Sequence, residues 1–368
     1  MSRFSGFNGN RRTFLARLSQ AALAAGSTSL FPAGPARAAE GVKVTEFIWT
    51  GAQETVPRKV AARYAQANAG TQVEFVSGTN AAVFPKLKAS LDIDPNSPLL
   101  NFGFFNMESS ERGRTANMWL PLQPSRVPNL KTIRPEFQRS DNVGAILCMD
   151  VCGIVYNTEK VKTPPQSWHD LFNPRYKGRV ALFDAYWAGN GLLAMARLLG
   201  GSEDNVEPAF RLYEDAAGAG QFRALYTSNA QLLQMLTSGE VWMAPYFRGI
   251  ALPWQKQGAP VGYAIPREGQ VAFPEGFQLV RGSSAAQQRV AQDLINQMLA
   301  PEAVLDYCTT ASVLPLTTNL TLPPGIANDP AISQLAMSKL IHLDFAKIAK
   351  YNEKWTSMWN QRVKANLA

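Results

Sequence analysis

Aromatic rings and single polar or charged side chains occur together at five places in this 368-residue chain. They are Trp49-Thr50, Asn106 with Glu108, Asp184-Ala185-Tyr186-Trp187, Tyr246-Phe247-Arg248 and Phe273-Pro274-Glu275. Such groups suit the non-covalent grip of a small molecule, where apolar walls surround a few placed polar atoms. A carboxylate beneath an aromatic face holds an ammonium group by charge and by cation–π attraction of roughly 0.5–2 kcal/mol. An arginine fork instead matches a carboxylate or phosphonate. Bond-making chemistry has no comparable signal. There is no Gly-x-Ser-x-Gly turn and no glycine-rich phosphate loop ahead of a lysine. The two histidines, His169 and His342, stand in no metal-ligand spacing. No catalytic residue, cofactor or metal is therefore expected.

The elements that must position these residues are organised around residues 146–185. Gly153-Ile154-Val155-Tyr156-Asn157 reads as a strand, β-branched and aromatic, closed by Thr158. Pro164-Pro165 excludes helix, Ser167 caps a short helix over 168–172, and 180–183 form a second strand with Asp184 at its carboxyl end. Ligands of open α/β sheets lie beyond the carboxyl ends of strands, where Asp184 stands. Upstream, residues 42–49 and 71–76 alternate as strands, with helical spacing over 55–68 and 82–91 and a short buried strand over 99–105. Downstream, helices are expected over 189–199, 208–217, 285–299 and the tail 344–363. Strands are expected over 239–244, 261–265 and 277–280. The alternation predicts an α/β fold with a mainly parallel sheet flanked by helices.

Three runs within the organising stretch carry a resemblance: Gly153-x-x-Tyr156-Asn157-Thr158-x-Lys160-Val161, Pro165-x-Ser167-Trp168-x-Asp170-Leu171, and Tyr176-Lys177-Gly178-Arg179-Val180-x-Leu182-x-Asp184-Ala185. In that order and spacing they resemble bacterial solute-binding proteins of ABC importers, above all the spermidine/putrescine-binding group. The likeness continues at Gly239-Glu240-Val241, at Pro266-Arg267-Glu268-Gly269 and in the alanine-rich helix after Arg281. It implies a two-lobed periplasmic binding protein of type II, with crossings near Ala145-Ile146 and Ile265-Pro266. Lobe 1 would be 39–145 plus 266–368 and lobe 2 would be 146–265, with the solute in the cleft. It further implies delivery of a small-molecule solute to an inner-membrane ABC permease; a monomer is expected.

By the same resemblance Trp49 matches a ligand-stacking tryptophan, Phe247 a stacking aromatic, Phe273 a stacking tryptophan and Glu275 an amine-binding carboxylate. Two positions depart from the pattern. The family places an amine-binding acid near Trp187, and Arg248 stands beside the stacking position. Arg248 repels a polyamine, so a zwitterion, such as an ω-amino acid or aminoalkyl phosphonate, is expected ahead of a polyamine. Alternatives stay open: Asp184 as a helix cap, Arg248 paired with a surface acid, a ferric-ion or anion carrier of the same fold, or a sensor or docking protein. Iron chemistry favours adjacent tyrosines, and no Tyr-Tyr pair occurs.

Composition agrees with an exported globular protein. Hydrophobic residues make up 46% of the chain, enough for real cores, and no apolar run reaches the 18 or so residues of a membrane span. Formal net charge is +8, but Arg3, Arg11, Arg12, Arg17 and Arg37 fall in residues 1–38 with no acid among them, leaving +3 beyond. Nucleic-acid binding is not expected from so small an excess. Asn10-Arg11-Arg12-Thr13-Phe14-Leu15, a weakly apolar stretch and Ala36-Arg37-Ala38 together read as a twin-arginine signal peptide over 1–38, directing the protein to the periplasm. Cys148, Cys152 and Cys308 read as buried thiols, a bridge to Cys308 remaining the alternative. The export reading is checked by replacing Arg11 and Arg12 with lysine. Precursor should then accumulate in the cytoplasm; an unchanged periplasmic yield assigns the segment to the general secretory route.

Overall fold

The computed structural model describes residues 41–367; the expected signal peptide, 1–38, lies outside the described residues. The chain opens as β1 (Lys43–Trp49), α1 (Thr55–Ala67), β2 (Gln72–Gly78), α2 (Asn80–Ile93) and β3 (Phe102–Asn106). α3 (Met107–Thr115) follows at once, because Asn106 caps it by accepting from the Ser109 N–H at 2.9 Å. The short β4 (Trp119–Leu120) then leads to the longest strand, β5 (Ala145–Asn157). β6 (Val180–Phe183), α4 (Leu192–Leu198), α5 (Glu207–Gly218), β7 (Phe222–Tyr226), α6 (Asn229–Thr237), β8 (Met243–Phe247), α7 (Arg248–Lys256) and β9 (Val261–Ala264) come next. β10 (Val271–Val280) returns, and α8 (Ala285–Met298), α9 (Pro301–Ala311), β11 (Leu314–Pro315), α10 (Pro324–Ala327), α11 (Gln334–Ser338) and α12 (Phe345–Met358) complete the chain.

The sheet runs in the order β2-β1-β3-β10-β5-β8-β6-β7, with β4 on β10 and both β9 and β11 on β5. β1 is parallel to β2 and β3, and β6 is parallel to β7 and β8. These two parallel wings are joined by β10 and β5, which pair antiparallel with each other and with their neighbours. Both joining strands exceed the sequence expectation. β5 begins eight residues before Gly153, and β10 begins six residues before Phe277. Every residue of each is buried. Burial on both faces removes the alternation of polar and apolar residues that marks a strand's length in sequence. The wing change falls along β5. Its residues from Ala145 to Cys152 pair with β10, and those from Cys152 to Asn157 pair with β8 and β9.

The C-terminal segment ties the β6–β7 side down. α12 packs along α3, and the chain then continues through a wider turn, Trp359–Val363. Trp359 is fully buried, edge-on to Trp187 at 5.9 Å and tilted against Tyr213 at 6.0 Å. Arg362 reaches Glu207 and Glu214 on α5, at 2.8 and 2.7 Å. Because the indole fills space between two elements, its removal leaves a cavity. Trp359→Ala should therefore cost about 3–5 kcal/mol, read as a lower denaturation midpoint in guanidinium. A loss under 1 kcal/mol would show that this segment is not part of the folded core.

Candidate functional site

Side chains alternate across a strand, so register decides which residues meet. Glu275 of β10 lies opposite Asn106 of β3 on one side and Cys148 of β5 on the other. Phe273 lies opposite Asp150, and Cys152 lies opposite Phe247 at the end of β8. Asn106, Phe273, Glu275, Cys148, Asp150, Cys152 and Phe247 thus share one face, where the carboxyl ends of β3 and β8 approach the joining strands. Tyr186 is swung onto this face by the turn after β6. Ala185 there has φ 49°, a left-handed conformation uncommon for a residue with a side chain. The Tyr186 ring then lies 5.9 Å from Phe247 and 6.2 Å from Phe273, which are themselves 5.0 Å apart. Gly189 permits this approach: a β-carbon on it would come within 2.8 Å of both Tyr186 and Phe247.

The face is acidic and buried. Glu275 is buried, and burial drives its carboxyl well above the usual carboxylate range, with Asp150 nearby adding to the shift. Its Oε2 accepts from the Cys148 thiol at 3.8 Å. Asp150 is raised by burial to about 6, although it accepts N–H bonds from Val151 at 2.8 Å and from Gly249 at 2.9 Å. Glu108, in the first turn of α3, is also raised by burial, against the pull of Arg112. Burial lifts the Tyr186 hydroxyl, with Glu108 and Glu275 lifting it further. Among the described residues none of Glu46, Glu108, Asp150 and Glu275 forms an ion pair.

Arg248 is a buried cation, and it is engaged. It opens α7, donates from Nη1 to the Ser312 carbonyl at 2.7 Å, and pairs through Nη2 with Asp329. The ion pair foreseen as an alternative is present, with a largely buried partner in place of a surface acid. Trp49 is half-buried at the end of β1, edge-on to Phe104 at 5.5 Å, and its indole nitrogen has no partner among the described residues.

Three expected residues are not brought to this face. Asp184 accepts from the Trp359 indole at 3.0 Å and pairs with Lys364 at 2.7 Å, so the C-terminal segment takes both oxygens. Nor does Asp184 cap the next helix, since α4 begins only after Gly191. Trp187 is buried beneath α12, donating to Asn352 at 2.7 Å and packed on Trp355. Tyr246 points to the opposite side of the sheet from Phe247, stacked on Trp254 at 5.0 Å and bonded to Asn229 at 2.6 Å. Adjacent strand residues cannot share a face, so Tyr246 and Phe247 were never alternatives for the same wall.

Several neighbours of the face escaped the sequence reading. Asp150 had a signal, a lone acid inside the apolar run Ile146–Tyr156. Glu46 had one too, an acid in step with Val44 and Ile48 on β1. Tyr307, ring to ring with Phe104 at 5.3 Å, and Asp329 had none, because α9 and the loop after α10 are brought here by tertiary folding alone. The three cysteines are buried and free.

Comparison with known proteins gives consistent matches. Residues 59–334 match the family of bacterial extracellular solute-binding proteins. Spermidine/putrescine-binding periplasmic protein 1 of Haemophilus influenzae is 25% identical over 267 residues, 69% of this chain and 71% of the relative. Two solved structures share the fold. The spermidine/putrescine ABC transporter substrate-binding protein PotD of Streptococcus pneumoniae superposes with a TM-score of 0.72 at 19% identity, covering 88% of this chain and 99% of that one. AfuA of Actinobacillus pleuropneumoniae, with fructose-6-phosphate bound, superposes at 0.68 and 17% identity, covering 88% and 98%. The same fold thus accompanies quite different solutes in its relatives.

Glu46 provides a test of the electrostatics. Burial raises its carboxyl from 4.5 to about 8, against a weaker pull from Arg58, and its Oε1 has no partner among the described residues. A carboxyl raised in the folded state contributes its stability below the unfolded value and loses it as pH climbs through the folded one. Parent and Glu46→Gln should therefore be similarly stable near pH 4.5. By pH 8.5 the variant should be ahead by several kcal/mol, about 1.4 kcal/mol for each pH unit between the unfolded and folded values. Denaturant midpoints across that range check it, and a difference independent of pH rejects it.

Proposed function

Since the chain belongs to the bacterial extracellular solute-binding proteins, we propose that its solute is a small organic cation of the polyamine type, gripped between two lobes. The protein is the solute-binding component of an ABC transporter, acting outside the cytoplasm, and not an enzyme. The single observation that carries the solute reading is Glu275, a buried carboxyl with no cationic partner among the described residues, set beside the rings of Phe273, Phe247 and Tyr186. An ammonium group there gains charge pairing and three ring faces. Glu108 and Asp150 supply further negative charge for a second ammonium.

The lobes are taken as 39–145 plus 266–368 and 146–265. Tyr186 and Phe247 then come from one lobe, and Asn106, Glu108, Phe273 and Glu275 from the other. A solute touching both sets favours the closed arrangement by its differential contacts, and closure is the form presented to the permease. The zwitterion expected from Arg248 is placed second, because the fork it requires is held by Asp329 and Ser312. Export by the twin-arginine route is retained as part of the same proposal.

Titration calorimetry with putrescine tests the reading. The parent protein should bind it without chemical change, and Glu275→Gln should weaken binding by roughly thirty-fold or more, the equivalent of losing one partner of a buried charge pair. No saturable binding of putrescine or a longer polyamine, or equal affinity in Glu275→Gln, would overturn the assignment.

A further inference from the structure

We propose that Asp329 is a built-in counter-ion that denies Arg248 to the solute and so restricts the site to cations. The proposal rests on the solute reading above and adds the reason why an arginine is tolerated beside an amine site. Two features at the start of α7 invite an anion: the Arg248 guanidinium, and the free backbone N–H groups of the first helical turn. Both are already answered by protein carboxylates. The Gly249 N–H donates to Asp150 at 2.9 Å, and Arg248 pairs with Asp329. Gly249 is needed for this arrangement, since a β-carbon there would lie 2.7 Å from the Asp150 carboxylate.

Asp329 is not a mobile surface acid that happens to reach Arg248. Its Oδ1 accepts from the Ala331 N–H at 2.9 Å, capping the turn Pro330–Ile332, and this aims Oδ2 at the guanidinium. The side chains of Arg248 and Asp329 are only 8% and 15% exposed, so the pair is little screened. A second Arg248 donor, at Nη1, is held by the Ser312 carbonyl, aimed by the left-handed turn that ends α9, where Ser312 has φ 57°. An incoming carboxylate would have to expel Asp329 from Arg248 and take its place within reach of Asp150, whose charge also acts on the guanidinium. A cation meets Glu275, Glu108 and Asp150 with Arg248 already neutralised.

Putrescine and 4-aminobutyrate separate the cases, since both carry an amine on a four-carbon chain and only the second carries a carboxylate. The variants are Asp329→Asn and Asp329→Ser, each able to keep the cap to Ala331 while removing the charge. Calorimetry on the folded proteins, verified by thermal melts, should show no tight 4-aminobutyrate binding by the parent. Both variants should gain at least about tenfold for it, a change of about 1.4 kcal/mol, with putrescine affinity moved by less. Unchanged 4-aminobutyrate affinity in both variants overturns the proposal. So does tight 4-aminobutyrate binding by the parent, a result that needs no variant to fold. Absence of putrescine binding by the parent speaks against the solute reading instead, and leaves the gain in the variants as the measure of Asp329.

Discussion

The antiparallel pairing of β5 with β10 is the constraint on which the molecule depends. It joins two parallel wings that otherwise share no ladder, and its register brings Asn106, Glu275, Asp150 and Phe247 to one face. A slip of one residue would turn Phe273 and Glu275 away and present Ala272 and Pro274 in their place. The register is held by an irregularity between Glu275 and Gly276. Gly276 cannot be replaced cheaply, because a β-carbon there would sit 2.1 Å from the Ala145 carbonyl oxygen.

The electrostatics follow from that burial. Burial outweighs the pull of more distant arginines, so carboxyl groups withdrawn from water without an ion-pair partner shift upward, and Glu46, Glu108, Asp150 and Glu275 all do so. A group of this kind serves stability poorly in the absence of a partner. It suits recognition, where an arriving ammonium restores the charged form and gains from the low dielectric. Arg248 fits the same logic only because Asp329 and Ser312 satisfy it within the protein.

The C-terminal segment shows how a binding-site motif is diverted to structure. Asp184 and Trp187 stand at a strand end, as ligand residues often do. Here the indole of Trp359, the ammonium of Lys364 and the amide of Asn352 occupy their polar atoms. Tyr186, between them, escapes because the left-handed Ala185 turns the chain over. One short stretch therefore supplies a wall of the site and an anchor for the tail.

Local order was legible in the residues. The β1–α1–β2–α2 succession, the cap at Ser167, the α/β class and the family resemblance all rest on patterns a few residues long, where periodicity and hydrogen-bond geometry act. Asn106, Glu108, Phe247, Phe273 and Glu275 were each expected beside a strand end; Asn106 and Phe247 do close β3 and β8, whereas Phe273 and Glu275 lie inside β10. The lengths of β5 and β10 were not legible, since full burial leaves no alternation to read. Nor was the difference between Tyr246 and Phe247, which depends on the pairing of Cys152 with Phe247. Asp329 and Tyr307 meet the site across large sequence separations, and the tail reaches Asp184 in the same way. Those partnerships come from long-range packing, and no local spacing records which distant side chain will answer a buried charge.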